Sequence, residues 1–158
     1  MLGSVLPAYI PGESVYSWVT QYFVHSAYSD RNHFCNRLFH HPAIRLHPLL
    51  PGHIEAAAQA AGVDPQYLLH HGTGFPLFAL TLNNKHQVHA LAAAMLGEGR
   101  GIMALSGQAA SKLAFGVVCL KWCPSCLLED EQTFGAGYWH TEHQLYGVTA
   151  CIRHTLRL

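Results

Sequence analysis

Two cysteine-led pairs near the carboxyl end constrain this chain more than any other feature. Cys123-Pro124-Ser125-Cys126 is Cys-x-x-Cys, and Cys151-Ile152-Arg153-His154 is Cys-x-x-His. Residues three apart on a tight turn can both face one cation, with backbone amides nearby to stabilise thiolate charge. Two such turns supply the four ligands of a closed tetrahedral zinc site. Pro124 suits the first turn because it fixes φ and gives up its amide hydrogen. The 24 residues between the pairs, 127–150, exceed the common ribbon spacings and leave room for a short helix or hairpin. The expectation is one structural Zn2+ held by Cys123, Cys126, Cys151 and His154.

Other readings of these residues fit less well. A redox pair usually opens a helix in a strand–helix–strand context, and no such context precedes Cys123. Disulfides in a secreted domain sit poorly with five cysteines, an odd number, and with thirteen histidines. Cys119, the competing ligand, is expected as a buried thiol in the run Val117-Val118-Cys119-Leu120. Inside the loop, His140-Thr141-Glu142-His143 invites an enzymatic reading. A zinc peptidase wants His-Glu-x-x-His, and here the histidines are three apart with the glutamate directly before the second. A nucleobase deaminase places His-x-Glu before Pro-Cys-x-x-Cys, the reverse of the order here. Four protein ligands also leave no position for an activated water. No catalytic residue is expected. His140, His143 and Trp139 are assigned outside the ligand set, the histidines orienting the loop and hydrogen-bonding the thiolates.

Taken together, these residues resemble the TniQ/TnsD family, target-selection proteins of multi-component bacterial DNA transposons. The resemblance rests on Cys123-Pro124-Ser125-Cys126, Glu129-Asp130-Glu131, Tyr138-Trp139-His140, His143-Gln144-Leu145, Gly147-Val148 and Cys151-Ile152-Arg153-His154. Near the amino end, Pro11-Gly12-Glu13-Ser14-Val15-Tyr16-Ser17-Trp18 is similar to the family's opening motif, and Gly74-Phe75-Pro76-Leu77-Phe78 to a segment midway. It runs from about Pro7 to the last residue. Tyr146 stands where the family usually has proline, a departure that touches no ligand. The resemblance implies a non-catalytic adaptor. Such a protein links target DNA, or an RNA-guided DNA-recognition complex, to an AAA+ transposition regulator. Family members are usually longer, so the expectation is an amino-terminal fragment or a short homologue, with some DNA or guide contacts left to regions absent here.

The rest of the chain reads as mainly helical. Pro7, Pro11 and Gly12 make an extended lead-in, and a helix is expected from Glu13 or Ser14. Val15, Trp18, Val19, Tyr22 and Phe23 recur at three and four and form its apolar face. Asp30 caps a second helix with Phe34, Leu38 and Phe39 inward, ending before Pro42. His53 to Ala61 is a third, broken at Gly62. Asp64-Pro65 then caps and opens a fourth through Leu69. This hairpin, near 52–71, matches a helix-turn-helix, and equally a hairpin used for packing. Its second helix offers Gln66, His70 and His71 but no arginine or lysine for bases and phosphates. Residues 72–82 read as a loop around Gly74 and Pro76. Lys85 to Leu96 is a helix with Val88, Leu91, Ala92 and Met95 on one stripe, closed by Gly97. Gly97, Gly99 and Gly101 form a turn too irregular for a phosphate loop. The runs 102–105 and 113–120 are short and apolar, the second read as a strand leading into the metal site.

Composition narrows the function. Charged residues are 11% of the 158, against about 25% in ordinary soluble domains. A surface so poor in charge suits coverage by a partner. Zero formal net charge argues against a strong non-specific grip on nucleic acid. No apolar run reaches the roughly 18 residues of a membrane helix, and no signal peptide is visible. The expected compartment is the bacterial cytoplasm, where thiols stay reduced. Neither a membrane nor a small-molecule substrate is expected as a partner. The organisation expected is a helical region over 1–116 followed by a zinc-ribbon-like zinc-finger module over 117–158. The function expected is the adaptor. The alternatives are a zinc-dependent DNA-binding regulator acting by itself, which needs a basic face, and a zinc hydrolase or deaminase, which needs an open metal position.

Overall fold

A computed structural model of the chain describes residues 7–107 and 119–158. Among these residues the fold is mainly helical, with two isolated β-bridges and no sheet. The helices are α1 (Val15–His25), α2 (Arg31–Phe39), α3 (Ile54–Ala61), α4 (Pro65–His71), α5 (Phe75–Thr81), α6 (Lys85–Leu96), α7 (Ile102–Leu105), α8 (Pro124–Phe134) and α9 (Thr141–Gln144). Their starts follow the sequence signals. Ser14 accepts from the Ser17 amide at 3.1 Å, Asp30 from His33 at 2.9 Å, Asp64 from Tyr67 at 2.8 Å and Asn84 from Gln87 at 2.9 Å. Each such cap contributes typically about 1 kcal/mol by satisfying an orphan amide of the first turn.

The core is assembled around α3, which packs against α1, α2, α4 and α6. Ile54, Ala57 and Ala58 are fully buried; the two alanines let neighbouring helices approach closely. Trp18, Phe34, Leu68, Leu69, Leu91 and Met95 fill the space around them. The Trp18 indole N–H donates to the Pro7 carbonyl at 2.8 Å, so the ring is buried with its polar handle satisfied. Gly52 passes so close to Gly99 that a Cβ on Gly52 would lie 2.6 Å from the Gly99 Cα. That crossing brings the His53 amide onto the Gly97 carbonyl at 2.6 Å and ties the start of α3 to the end of α6.

One expectation failed within this region. Residues 72–82 are not a loop, because Phe75–Thr81 is α5. Pro76 lies in its first turn, where a missing amide hydrogen costs nothing, and Phe75 and Phe78 share the buried face one turn apart. The strand expected over 113–120 and the boundary expected at 116/117 lie, up to residue 118, outside the described residues. Cys119 is exposed rather than buried, so its thiol is not packed as the apolar run implied.

The carboxyl-terminal segment is fastened to α1 by main-chain bonds. Ser14 N–H donates to Trp139 O and Thr141 N–H to Gly12 O, each at 2.9 Å, around a bridge between Glu13 and His140. The Ser17 hydroxyl accepts from the Trp139 amide at 3.1 Å and donates to the Glu13 carboxylate at 2.8 Å. Glu13 also accepts from Gln21 at 3.0 Å and is 1% exposed. Burial pushes its carboxyl up to about 7, the Ser17 and Ile10 hydrogen bonds opposing and the Asp130 charge assisting. Lys121 adds a further tie within the segment, its ammonium donating to Leu145 O at 2.8 Å and Val148 O at 2.7 Å.

Candidate metal centre

Cys123 occupies the cap position of α8, Pro124 is its first residue, and Cys126 lies one turn in. The second pair sits on a turn closed by the Thr155 amide bonding Cys151 O at 2.8 Å. An isolated bridge between Ala150 and Arg157 holds the two sides of that turn together. The ligand atoms of Cys123, Cys126, Cys151 and His154 all lie within 4.8 Å of one another. All three sulfurs are buried, and Leu158 packs against them.

The separations match those a tetrahedral zinc would impose. Bonds of about 2.3 Å to sulfur and about 2.0–2.1 Å to nitrogen place sulfurs about 3.8 Å apart, and sulfur about 3.5 Å from nitrogen. Here the Cys126 and Cys151 sulfurs are 3.5 Å apart, and His154 Nδ1 lies 3.5, 3.4 and 3.6 Å from the sulfurs of Cys123, Cys126 and Cys151. Three thiols and an imidazole packed this closely form a donor set that could hold a metal ion. The Cys-x-x-Cys pair does open a helix, as redox pairs do. What separates it from one is the arrival of Cys151 and His154 on the same point in space.

The surrounding groups orient these donors. His154 Nε2 meets Glu129 Oε1 at 2.8 Å, leaving Nδ1 to face the sulfurs, the carboxylate–histidine arrangement common behind bound metals. The Glu129 hydrogen bond raises the His154 imidazole to about 9, with contributions from the Cys151 and Cys123 sulfurs. The Arg153 guanidinium donates to Cys126 Sγ at 3.1 Å and lies 3.5 Å from Glu129. Burial and the neighbouring Cys151 and Cys123 sulfurs push the Cys126 thiol up to about 12. Burial acts to raise Cys151 as well, but the His154 and Arg153 amides outweigh it and bring that thiol down to about 7. A cation shared by all four donors displaces the protons from each thiol and so removes this asymmetry.

Behind Cys126 runs a second line of polar groups. Asp130 Oδ2 meets His140 Nε2 at 2.8 Å, both side chains buried. The rings of His140 and His143 are 4.8 Å apart, and His143 Nε2 reaches 3.9 Å from Cys126 Sγ. Neither histidine stands nearer the four-donor point than the ligands named from sequence. The Trp139 ring instead lies 6.0 Å from Tyr16 on α1, so this residue connects the loop to the helical region rather than to the sulfurs.

Sequence reasoning read Glu129-Asp130-Glu131 only as a charge cluster. Glu129 and Asp130 follow Cys126 by three and four residues on α8, which puts both on its face of the helix. That spacing was available in the sequence. Glu13 carried no comparable signal, because its burial depends on a loop more than a hundred residues away.

No helix among the described residues is long and apolar enough to cross a membrane. No curated protein matches the chain. The TniQ family model matches residues 5–158, from ahead of the buried Glu13 through the last donor, His154. The chain therefore belongs to the TniQ family and is a transposition-associated protein.

Proposed function

We propose that this chain is a non-catalytic adaptor for transposon target selection, acting in the bacterial cytoplasm and linking target recognition to an AAA+ regulator. The observation that carries the reading is where the apolar surface lies. Among the described residues, six of the nine large exposed hydrophobics, Trp122, Leu128, Phe134, Tyr146, Ile152 and Leu156, lie on the carboxyl-terminal segment, while Val24, Tyr67 and Leu80 lie on the helical region. The same segment carries Glu129, Glu131 and Glu142 on its surface. Exposed apolar side chains among acidic groups suit a protein partner and repel phosphates.

In this reading Cys123, Cys126, Cys151 and His154 hold one structural zinc. The Asp130–His140–His143 line supports the Cys126 thiolate, and Glu129 fixes His154. With all four tetrahedral positions taken by protein, no site remains for an activated water, which is the reason a hydrolase or deaminase role is set aside. The units proposed are the helical region 1–116, with its α3–α4 hairpin in a helix-turn-helix-like role, and the zinc module 117–158.

The test is a titration of the zinc-loaded chain against the transposon's AAA+ regulator and against duplex DNA, at about physiological salt. The regulator is expected to bind more tightly than bare DNA. Submicromolar duplex binding with a steep salt slope, and no binding to the regulator, would overturn the adaptor reading.

A further inference from the structure

The zero net charge of the chain conceals an uneven distribution. Residues 31–53 contain Arg31, Arg37 and Arg45 and five histidines, without a single aspartate or glutamate. This run is α2 and the loop that leads to α3. Folding places two of the three arginines and four of the five histidines along two adjoining clefts of about 590 and 540 Å³, Arg37 and His33 lying outside them. Arg45 lines both. His40, His41 and Arg100 join it in the larger cleft, and Arg31 in the smaller.

The Arg31 guanidinium is tied to the Ile44 carbonyl, which fixes the loop's course beside α2. Arg45 is exposed, and among the described residues it forms no ion pair. Glu98 is the single acid on either cleft, and it is held by Arg100 at 2.8 Å. His40 adopts a left-handed backbone, φ 57, at the end of α2, where the chain turns sharply so that His40 and His41 both stand exposed on the rim.

We propose that this face, centred on Arg45, contacts the phosphate backbone of duplex DNA. The argument is charge complementarity: an acid-free stretch of guanidinium and imidazole donors, on the helical region, set apart from the acidic metal module. Guanidinium groups pair with phosphate oxygens, and such contacts position a protein on DNA without reading its sequence. The proposal rests on the adaptor reading only in taking DNA, the substrate of transposition, as the polyanion. It adds a weak, sequence-independent contact to a chain whose tighter partner is a protein.

The experiment is fluorescence anisotropy of the full zinc-loaded chain with a short labelled duplex of random sequence, titrated across salt. Arg45→Ala is expected to weaken binding about tenfold, equally on unrelated sequences, and to lower the salt slope by about one. Glu98→Gln, which frees Arg100, is expected to strengthen it. Arg157→Ala, an equal change of net charge on the metal module, is expected to leave it nearly unchanged. Both cleft side chains are exposed, so these variants should fold.

The proposal is overturned if Arg157→Ala weakens binding as much as Arg45→Ala, if the wild-type chain ignores the duplex even at low salt, or if duplex RNA is bound in preference. Capture of the AAA+ regulator, measured on the same samples, separates the two readings. Regulator capture without DNA binding leaves the adaptor standing and removes this face. DNA binding through Arg45 without regulator capture does the reverse.

Discussion

The helical region and the metal module bury different things. The first closes over Trp18, Ile54, Leu68, Leu69, Leu91 and Met95, with two alanines of α3 at the centre. In the second, the buried apolar residues are three cysteines, and its other buried side chains are polar: Asp130, His140, Thr141, His143 and Gln144. One is a core in the ordinary sense, stabilised by area removed from water. The other has too little apolar area to order its residues by that means, and its short helices do not persist in isolation. In the proposed reading, a metal ion held by the four donors supplies what the area does not. The same contrast bears on surfaces: with little core to take them in, Trp122, Leu128, Phe134, Ile152 and Leu156 of the module stay exposed.

The largest effect should come from breaking the module alone. Removing zinc by chelation, or substituting Cys126→Ser, withdraws on the order of 10 kcal/mol of local folding free energy. Residues 119–158 should then lose amide-exchange protection while α3, α4 and α6 keep theirs. A full zinc equivalent at unchanged affinity in Cys126→Ser would remove Cys126 from the ligand set. Equal loss of protection in both regions would show that they are not separate in stability.

The converse substitution acts on the core. Ile54→Ala empties a fully buried position on α3 and should cost about 2–5 kcal/mol in denaturant unfolding of the helical region. Zinc content per folded chain should stay at one. If metal binding falls in step with helical stability, the two regions fold as one unit and the comparison fails.

Glu13 lies on the seam, and its ionisation tests how tightly the two are joined. Its carboxyl is raised to about 7 in the folded chain, above the ordinary carboxylate value it has when unfolded. Between those values the folded state keeps a proton that the unfolded state releases, so stability falls as pH rises and then levels above about 7. The Glu13 contribution across that interval is up to about 3 kcal/mol. Glu13→Gln should flatten the slope between about pH 4.5 and about pH 7 in urea unfolding. An unchanged slope would place the pH dependence elsewhere.

How much of this was visible in the sequence differs between the regions for the same physical reason. The helical region announced itself through local chemistry: Asp30 and Asp64-Pro65 start helices by hydrogen bonds three residues away, and apolar periodicity marks the inner faces. Helix α5 escaped because Gly74 and Pro76 mark a turn as readily as a first helical turn, and burial of Phe75 and Phe78 decides between them. The four-donor cluster was legible because its spacing is local within each pair. The groups that steer it were less so. Asp130 is acidic and charged in any local reading, and only the approach of His140 explains why it is buried. Glu13 is the extreme case, since the partners that fix its burial come from Ser17 and Gln21 on one side and the 137–140 loop on the other.

The smallest effect expected sharpens the comparison within the module itself. Glu129 and Asp130 are neighbours on α8, yet the Glu129 side chain is 51% exposed and that of Asp130 4%. Glu129 meets His154 directly, whereas Asp130 meets His140, whose ring lies beside that of His143 near Cys126; in the proposed reading both support the metal donors. Substitutions behind a metal ligand typically cost about 10–100-fold in affinity. Glu129→Gln should fall at the low end, about tenfold, because the amide oxygen can still accept from His154 Nε2 and water already screens the pair. Glu131→Gln, an equal change of charge on an exposed residue, should leave affinity unchanged. Competition with a chromophoric chelator measures both variants and the wild type on one scale. Equal losses in Glu129→Gln and Glu131→Gln would mean that the acidic triplet acts through bulk charge alone, and that the Glu129 hydrogen bond does not orient His154.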